Sequence, residues 1–210
     1  MAGHVHVSKH PLVAHKLTRL RDRDTQPAEF RALVHDLSQL LFFEATADLP
    51  LSKTTVQTPL AECDASIISA GIGLIPILRA GLGMADAMLE LLPTAVVWHL
   101  GLYRDHETLE PVTYYNKLPA TSNLELGLVL DPMLATGGSA ITSINILKKW
   151  GGCKRVKFIG LIAAPEGVKK LQETHPDVPI YLAAIDSHLS EIGYIVPGLG
   201  DAGDRQFGTW

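Results

Sequence analysis

Downstream of residue 125 the chain alternates between short apolar runs and stretches of helical spacing, an alternation that leaves few folds open. Residues 126–130 read as a buried strand, 138–150 as a helix closed by Gly151-Gly152, 156–163 as a strand, 166–174 as a helix, and 180–185 as a strand. This order predicts an α/β fold, a mostly parallel twisted sheet flanked by helices on both faces. Upstream, Leu12, Val13, Leu17 and Leu20 suggest a short helix with Pro11 in its first turn. Phe30, Leu33, Val34, Leu37, Leu40 and Leu41 recur at helical spacing behind Thr25, a candidate N-cap. Segments 54–60 and 66–78 carry β-branched and apolar residues, broken at Gly71, Gly73 and Pro76. Residues 83–92 read as a helix, 95–103 as one strand, and 112–118 as an exposed strand or arm.

In such sheets ligands sit beyond the carboxyl ends of the strands. The chemistry is therefore expected where strands stop. The richest of these places is Asp131-Pro132-Met133-Leu134-Ala135-Thr136-Gly137-Gly138-Ser139, between the 126–130 strand and the 138–150 helix. Two glycines let the backbone turn sharply and approach a ligand. Amides at the head of a helix favour an anion, and the hydroxyls of Thr136 and Ser139 add donors. A phosphate monoester needs this set, and Asp131 could accept hydrogen bonds from sugar hydroxyls. The bland alternative is a tight strand-to-helix turn capped by Ser139. The segment is neither a Walker A loop nor a Gly-x-Ser-x-Gly elbow.

Pro76-Ile77-Leu78-Arg79-Ala80-Gly81-Leu82-Gly83 again follows an apolar run and precedes a helix. The guanidinium fork of Arg79 suits a phosphate or diphosphate. Arg104 closes the 95–103 run; its alternative is an ion pair with Asp105 or Glu107. Gly198-Leu199-Gly200-Asp201-Ala202-Gly203 spells Gly-x-Gly-x-x-Gly, but seven residues follow it. A dinucleotide fingerprint needs a helix, a further strand and an acidic residue about 20 positions on. What remains is a loop whose main chain can read the edge of a flat ring.

Composition bounds the rest. Eighteen basic against 22 acidic residues give a net charge of −4, which argues against a nucleic-acid partner. No apolar run is long enough for a membrane helix. Two cysteines make no disulfide framework, so a cytoplasmic location is expected. No repeat or linker divides the chain, and residues 1–210 are read as one domain. His4 and His6 are read as a solvated pair on a mobile N-terminus, and the cluster Lys148, Lys149, Lys154, Arg155 as a solvated face.

Taken together these segments resemble the uracil phosphoribosyltransferase family. The resemblance is carried by His10-Pro11-Leu12-Val13, by 76–84, by Gly101-Leu102-Tyr103-Arg104-Asp105, by Tyr115-Asn116-Lys117-Leu118-Pro119 and by the Asp131 to Ser139 run. Ala163-Ala164-Pro165-Glu166-Gly167, His175-Pro176-Asp177-Val178 and Gly193 to Arg205 complete it. It implies a type I phosphoribosyltransferase fold with a small hood or arm. It implies transfer of the 5-phosphoribosyl group from 5-phosphoribosyl 1-diphosphate (PRPP) to N1 of uracil, forming UMP and diphosphate. By that resemblance Arg79 and Arg104 contact the diphosphate and 131–139 cradle the 5-phosphate. Ile195, Gly200, Asp201 and Ala202 hold uracil, and Asp201 also lies near PRPP and its Mg²⁺. Residues 105–119 match a covering loop. The family also implies a homo-oligomer, dimer or tetramer, and in some members activation by GTP. Two departures stand out: Pro132 replaces a second acidic residue found in many phosphoribosyltransferases, and 66–73 is richer in small residues than a strand before Pro76 should be. A nucleotide- or RNA-binding regulator on the same fold, and transfer to a purine, remain the alternatives.

Overall fold

A computed structural model describes residues 4–104 and 111–209. The elements in chain order are β1 (Val5–Val7), α1 (Pro11–Arg21), α2 (Pro27–Ala45), β2 (Ser52–Gln57), β3 (Glu62–Ile67), β4 (Ile72–Leu78), α3 (Leu82–Leu91), β5 (Val96–Val97), β6 (Leu100–Arg104) and β7 (Pro111–Asn116). There follow β8 (Leu124–Leu130), β9 (Met133–Leu134), α4 (Gly138–Trp150), β10 (Cys153–Ala163), α5 (Pro165–Thr174), β11 (Ile180–Ile185), β12 (His188–Leu189), β13 (Ile195–Val196) and α6 (Ala202–Phe207).

The main sheet runs β1-β11-β10-β8-β4-β6-β7, with every pairing parallel except that of β6 with β7. Two cores follow from the strand period of two. Leu126, Leu128 and Leu130 of β8 pack with Phe30, Leu37 and Met84 on the α1–α3 side. Val129 faces the other way, against Ile144 and Leu147 of α4 and Leu171 of α5. The expected sheet with helices on both faces is therefore present.

Several local expectations need correction. Thr25 does not cap α2: its N-cap is Gln26, without a side-chain bond, and the Thr25 hydroxyl donates to the Arg19 carbonyl at 2.7 Å. The 95–103 run is two strands, interrupted at residues 98–99, which stand opposite Ile75 and Pro76 in an unchanged register to β4. Residues 62–67, polar and mostly exposed, form the second strand of a β2–β3 hairpin, which apolar patterning could not reveal. Pro76 lies inside β4, where its missing N–H should break a ladder. It sits where the ladders change: the pairing to β8 ends at Pro76↔Leu130, and that to β6 begins at Ile77↔Leu100. The expected mobile N-terminus is an edge strand, with His6 Nε2 2.9 Å from a Glu44 carboxylate oxygen. The basic cluster is largely paired, Lys148 with Asp177, Lys154 with Glu125 and Arg155 with Asp48.

One buried cation ties α2 to the sheet. Lys157 of β10 has 3% of its side chain exposed and donates to the Ala45 carbonyl at 2.7 Å and to Asp48 at 2.6 Å. Partial burial pushes the Asp48 carboxyl up, but Lys157 and Arg155 hold it below the usual carboxylate range. Lys157→Met leaves that helix-end carbonyl unpaired. The expected loss is about 2 kcal/mol, or a fall in Tm of about 4–8 °C, by calorimetry at neutral pH. An unchanged melt would show that this contact contributes nothing net.

Candidate active site

Strands β4, β6, β8, β10 and β11 run parallel, so their carboxyl ends share one edge of the sheet. From β4 the chain moves to β6 on one side, then returns to place β8 on the other. Such a reversal opens a crevice between the two strand ends. Residues 79–81, after β4, and 131–137, after β8, are the loops that meet there.

The second of these loops is built mostly from main chain. Asp131 donates its amide to the Ile159 carbonyl at 3.2 Å. The Pro132 carbonyl accepts from Leu161 and Ile162, and Met133 and Leu134 pair in register with β10. Pro132 and Leu134 are buried. The chain then turns at Gly137, where φ is 80°, a left-handed conformation that favours glycine. Gly137 is the N-cap of α4, with no side-chain capping bond. Ser139 is therefore inside the helix rather than its cap, and the capping alternative falls. Helix geometry leaves the first amides of α4 without intrahelical partners; the first bond back is Ile141 to the Gly137 carbonyl. These groups border a concavity of about 140 Å³ lined by Asp131 and by Met133 through Ala140.

Gly167, to which the sequence assigned no role, sets the floor of this loop. A Cβ there would lie 2.2 Å from the Ala135 carbonyl oxygen and 2.8 Å from that of Leu134. The close approach of α5 to the loop requires glycine.

Asp131 is half-buried, and burial pushes its carboxyl up to about 7. The Met133 amide, 3.4 Å from its Oδ1, works against that rise, while the Asp201 carboxylate adds to it. Folded Asp131 thus holds its proton more tightly than in the unfolded chain, where its pKa is about 3.8. Its contribution to stability is complete below about pH 4 and is lost as the pH rises to about 7. Asp131→Asn removes that loss. Thermal scans should show the two proteins melting together at pH 4, and the variant about 4–8 °C higher at pH 8, for about 2 kcal/mol. A gap that does not change with pH would reject this environment for Asp131.

The third part of the site comes from the C-terminus. Asp201 is the N-cap of α6 and accepts from the Asp204 amide at 2.8 Å. Arg79, half-exposed, reaches the Asp204 carboxylate at 3.1 Å and the Thr209 hydroxyl at 3.4 Å, and lies 5.9 Å from the Phe207 ring centre. A Cβ on Gly203 would meet both Asp201 Oδ1, at 3.2 Å, and Arg79 Nη2, at 3.8 Å. The fold thus brings Arg79, Asp131 and Asp201 to one place from three distant segments. Asp204, which holds Arg79, carried no signal of its own in the sequence.

Residues 197–201 form an irregular loop between β13 and α6. Gly198 and Gly200 stand at φ 67° and 78°. Ile195 and Ala202 are buried in the α1–α3 core, so the loop presents mainly main chain. A cleft of about 540 Å³ separates it from residues 21–27, with Arg21, Gly198, Gly200, Asp201 and Arg205 on its walls. Arg104 is the last residue of β6, in register with Pro111. Of the expected covering segment, 105–110 lies outside the described residues, and 111–116 is β7. No group of three or more metal-ligating side chains occurs among the described residues. No described helix is long and apolar enough to cross a membrane.

Known proteins share this fold and much of this sequence. The fold resembles that of the Giardia lamblia APRTase solved with 9-deazaadenine, at a TM-score of 0.52 and 14% identity over 75% of this chain and 81% of that one. A solved protein from Aquifex aeolicus superimposes with a TM-score of 0.92 and 36% identity, covering 98% of both chains. The uracil phosphoribosyltransferase of Roseiflexus castenholzii is 65% identical over 205 residues, 98% of each chain, and that of Bacillus licheniformis 56% over 208 residues, 99% of each. The family model described as uracil phosphoribosyltransferase matches residues 7–209, a span that takes in the 131–139 segment, Arg79 and residues 195–202. With matches of that length and identity, the chain belongs to the uracil phosphoribosyltransferase family.

Proposed function

We propose that this chain performs its family's pentosyl transfer, joining N1 of uracil to C1 of PRPP to give UMP and diphosphate, with the residues converging at the β4–β8 crevice. The observation that carries the assignment of roles is this convergence: an anion-binding helix head, an arginine and a main-chain loop face one another across two carboxyl groups. The amides and hydroxyls of 136–139 hold the 5-phosphate. Asp131 accepts from the ribose hydroxyls. Arg79 exchanges the Asp204 carboxylate for the diphosphate, and Arg104, at the end of the neighbouring strand, joins it. The main chain of Ile195 and of Gly200 to Ala202 reads the edge of uracil.

Departure of diphosphate dominates the barrier, because negative charge gathers on the leaving oxygens as C1 becomes cationic. Guanidinium groups aimed at that charge lower the barrier where water is excluded, and holding both substrates in line supplies proximity. Mg²⁺ fits as an ion that arrives on the diphosphate rather than in a protein cage: one exposed carboxylate, Asp201, with phosphate oxygens and water suffices for such an ion, and no three-ligand cluster occurs among the described residues. When bound it neutralises part of the leaving group's charge.

The unpaired Cys63 and Cys153 suit a cytoplasmic protein. Exposed Phe43, Leu51, Leu60, Ile67, Ile68 and Leu91, on and beside the β2–β3 hairpin, suit a homo-oligomer. Light scattering tests the latter, and a GTP titration of the initial rate tests the activation known in some family members. The central test is incubation with PRPP, Mg²⁺ and each nucleobase in turn. UMP and diphosphate from uracil alone is the expected outcome. Nucleotide from a purine, or from no base, would overturn the assignment in favour of a purine enzyme or a non-catalytic nucleotide binder.

A further inference from the structure

We propose that Arg21 and Asp186 are positioning residues that aim the base loop, and that they govern the recognition of uracil without taking part in the binding of PRPP. The proposal rests on reading 195–202 as the base loop.

Asp186 follows the last residue of β11 and has 3% of its side chain exposed; Arg21 closes α1 and has 24%. The two are 165 residues apart in sequence. Their contact is forked: Arg21 Nη1 donates to Asp186 Oδ2 at 2.7 Å, and Nη2 donates to Oδ1. The pair then takes hold of one residue of the loop. Asp186 Oδ2 accepts from the Gly198 amide at 2.9 Å, and Arg21 Nη1 donates to the Gly198 carbonyl at 2.7 Å. Both polar groups of Gly198 are bound by a single ion pair.

Gly198 offers only its main chain to be held. It has no side chain, its φ is 67°, and a Cβ there would lie 2.1 Å from the Ile195 carbonyl oxygen. The next carbonyl, of Leu199, accepts from Arg205 at 2.8 Å, and Arg205 also donates to the Leu20 and Asp22 carbonyls. The end of α1 and the base loop are thereby one unit. Beyond Gly198, the amides of Leu199, Gly200 and Asp201 have no protein partner among the described residues and are left to face a ring edge. Neither Arg21 nor Asp186 lines the phosphate concavity.

A buried ion pair adds little net stability but can select one arrangement of the groups around it. Fixing a loop that reads a base by its main chain is such a case, since a displacement of about 1 Å can cost on the order of 10²-fold. Arg21→Lys keeps the charge but loses the fork, and Asp186→Asn keeps the shape but loses the charge.

The test is UMP formation with uracil and PRPP varied independently, for wild type, Arg21→Lys, Asp186→Asn and the double variant. The expected result is a rise in the uracil KM of roughly ten- to a hundredfold in each single variant. The PRPP KM, and the PRPP affinity by calorimetry, should stay within about twofold. The double variant should be about as impaired as the worse single one, because the two side chains act as one device. Calorimetric stoichiometry with PRPP counts the folded protein, so a variant that folds poorly is still assayed on its folded fraction. A merely structural role would reduce the amount of active enzyme and leave both KM values unchanged. Uracil KM values within twofold of wild type, or an equal rise in both KM values, would overturn the proposal. Wild type that makes no UMP would instead overturn the base-loop reading itself.

Discussion

Gly137→Asp is expected to abolish PRPP binding while the protein remains folded. Three effects coincide at this residue. Its φ of 80° is a conformation that side chains other than glycine rarely adopt. A Cβ there would stand 3.1 Å from the Gly167 carbonyl oxygen, pressing on the contact between α5 and the loop. A carboxylate would also enter a concavity of about 140 Å³ whose free amides and helix dipole favour an anion. The new aspartate would occupy the place of the 5-phosphate and repel it. Gly151→Asp is the control, because Gly151 has nearly the same φ, 73°, at the other end of α4, with nothing within 4 Å of its added Cβ. It should lose about 1–2 kcal/mol of stability from backbone strain and bind PRPP as wild type does. Titration calorimetry of both variants checks the pair. Binding by Gly137→Asp at wild-type affinity would reject the phosphate assignment; failure of both would point to strain alone.

Arg79→Ala is expected to lower turnover by about 10²–10³, the usual cost of removing one donor aimed at developing charge. The same substitution should hardly alter the melt. Arg79 is half-exposed, and exposed ion pairs such as that with Asp204 are worth about 0–1 kcal/mol. Arg79→Lys restores the charge but not the planar fork and should recover part of the rate. Single-turnover measurement of diphosphate release distinguishes this outcome from a loss of substrate affinity. Turnover near that of wild type in the alanine variant would remove Arg79 from the reaction.

These two residues differ in how they could have been found. Gly137 sits in a run whose chemistry is local: carboxylate, turn, helix head. The order of strand and helix after residue 125 was equally legible, because apolar runs bounded by glycine and helices of regular spacing report short-range geometry. The observed β8, α4, α5 and β11 follow the expected segments closely. The second strand of the β2–β3 hairpin was not legible, since it is mostly exposed and its exposure does not alternate. The break at Trp98 and the tolerance of Pro76 inside β4 depend on which neighbour each residue pairs with, and pairing partners lie far along the chain. The N-terminal histidines gave the opposite error: a segment without any apolar run still became a strand, because β11 offered it an unpaired edge.

By itself the sequence determined the kinds of chemistry available. It placed a carboxylate and a glycine turn at a strand end, an arginine after a second strand, a glycine-rich loop near the C-terminus, and a strand–helix order that makes those strand ends parallel. Tertiary structure decided which of these groups meet. Arg79 reaches Asp204, burial and Asp201 together raise Asp131, Gly167 closes against the Leu134–Ala135 loop, and Arg21 joins Asp186 to hold Gly198. The physical reason is that hydrogen bonding, burial and charge repulsion depend on distance in space. Residues separated by more than a hundred positions acquire such distances only when the chain folds.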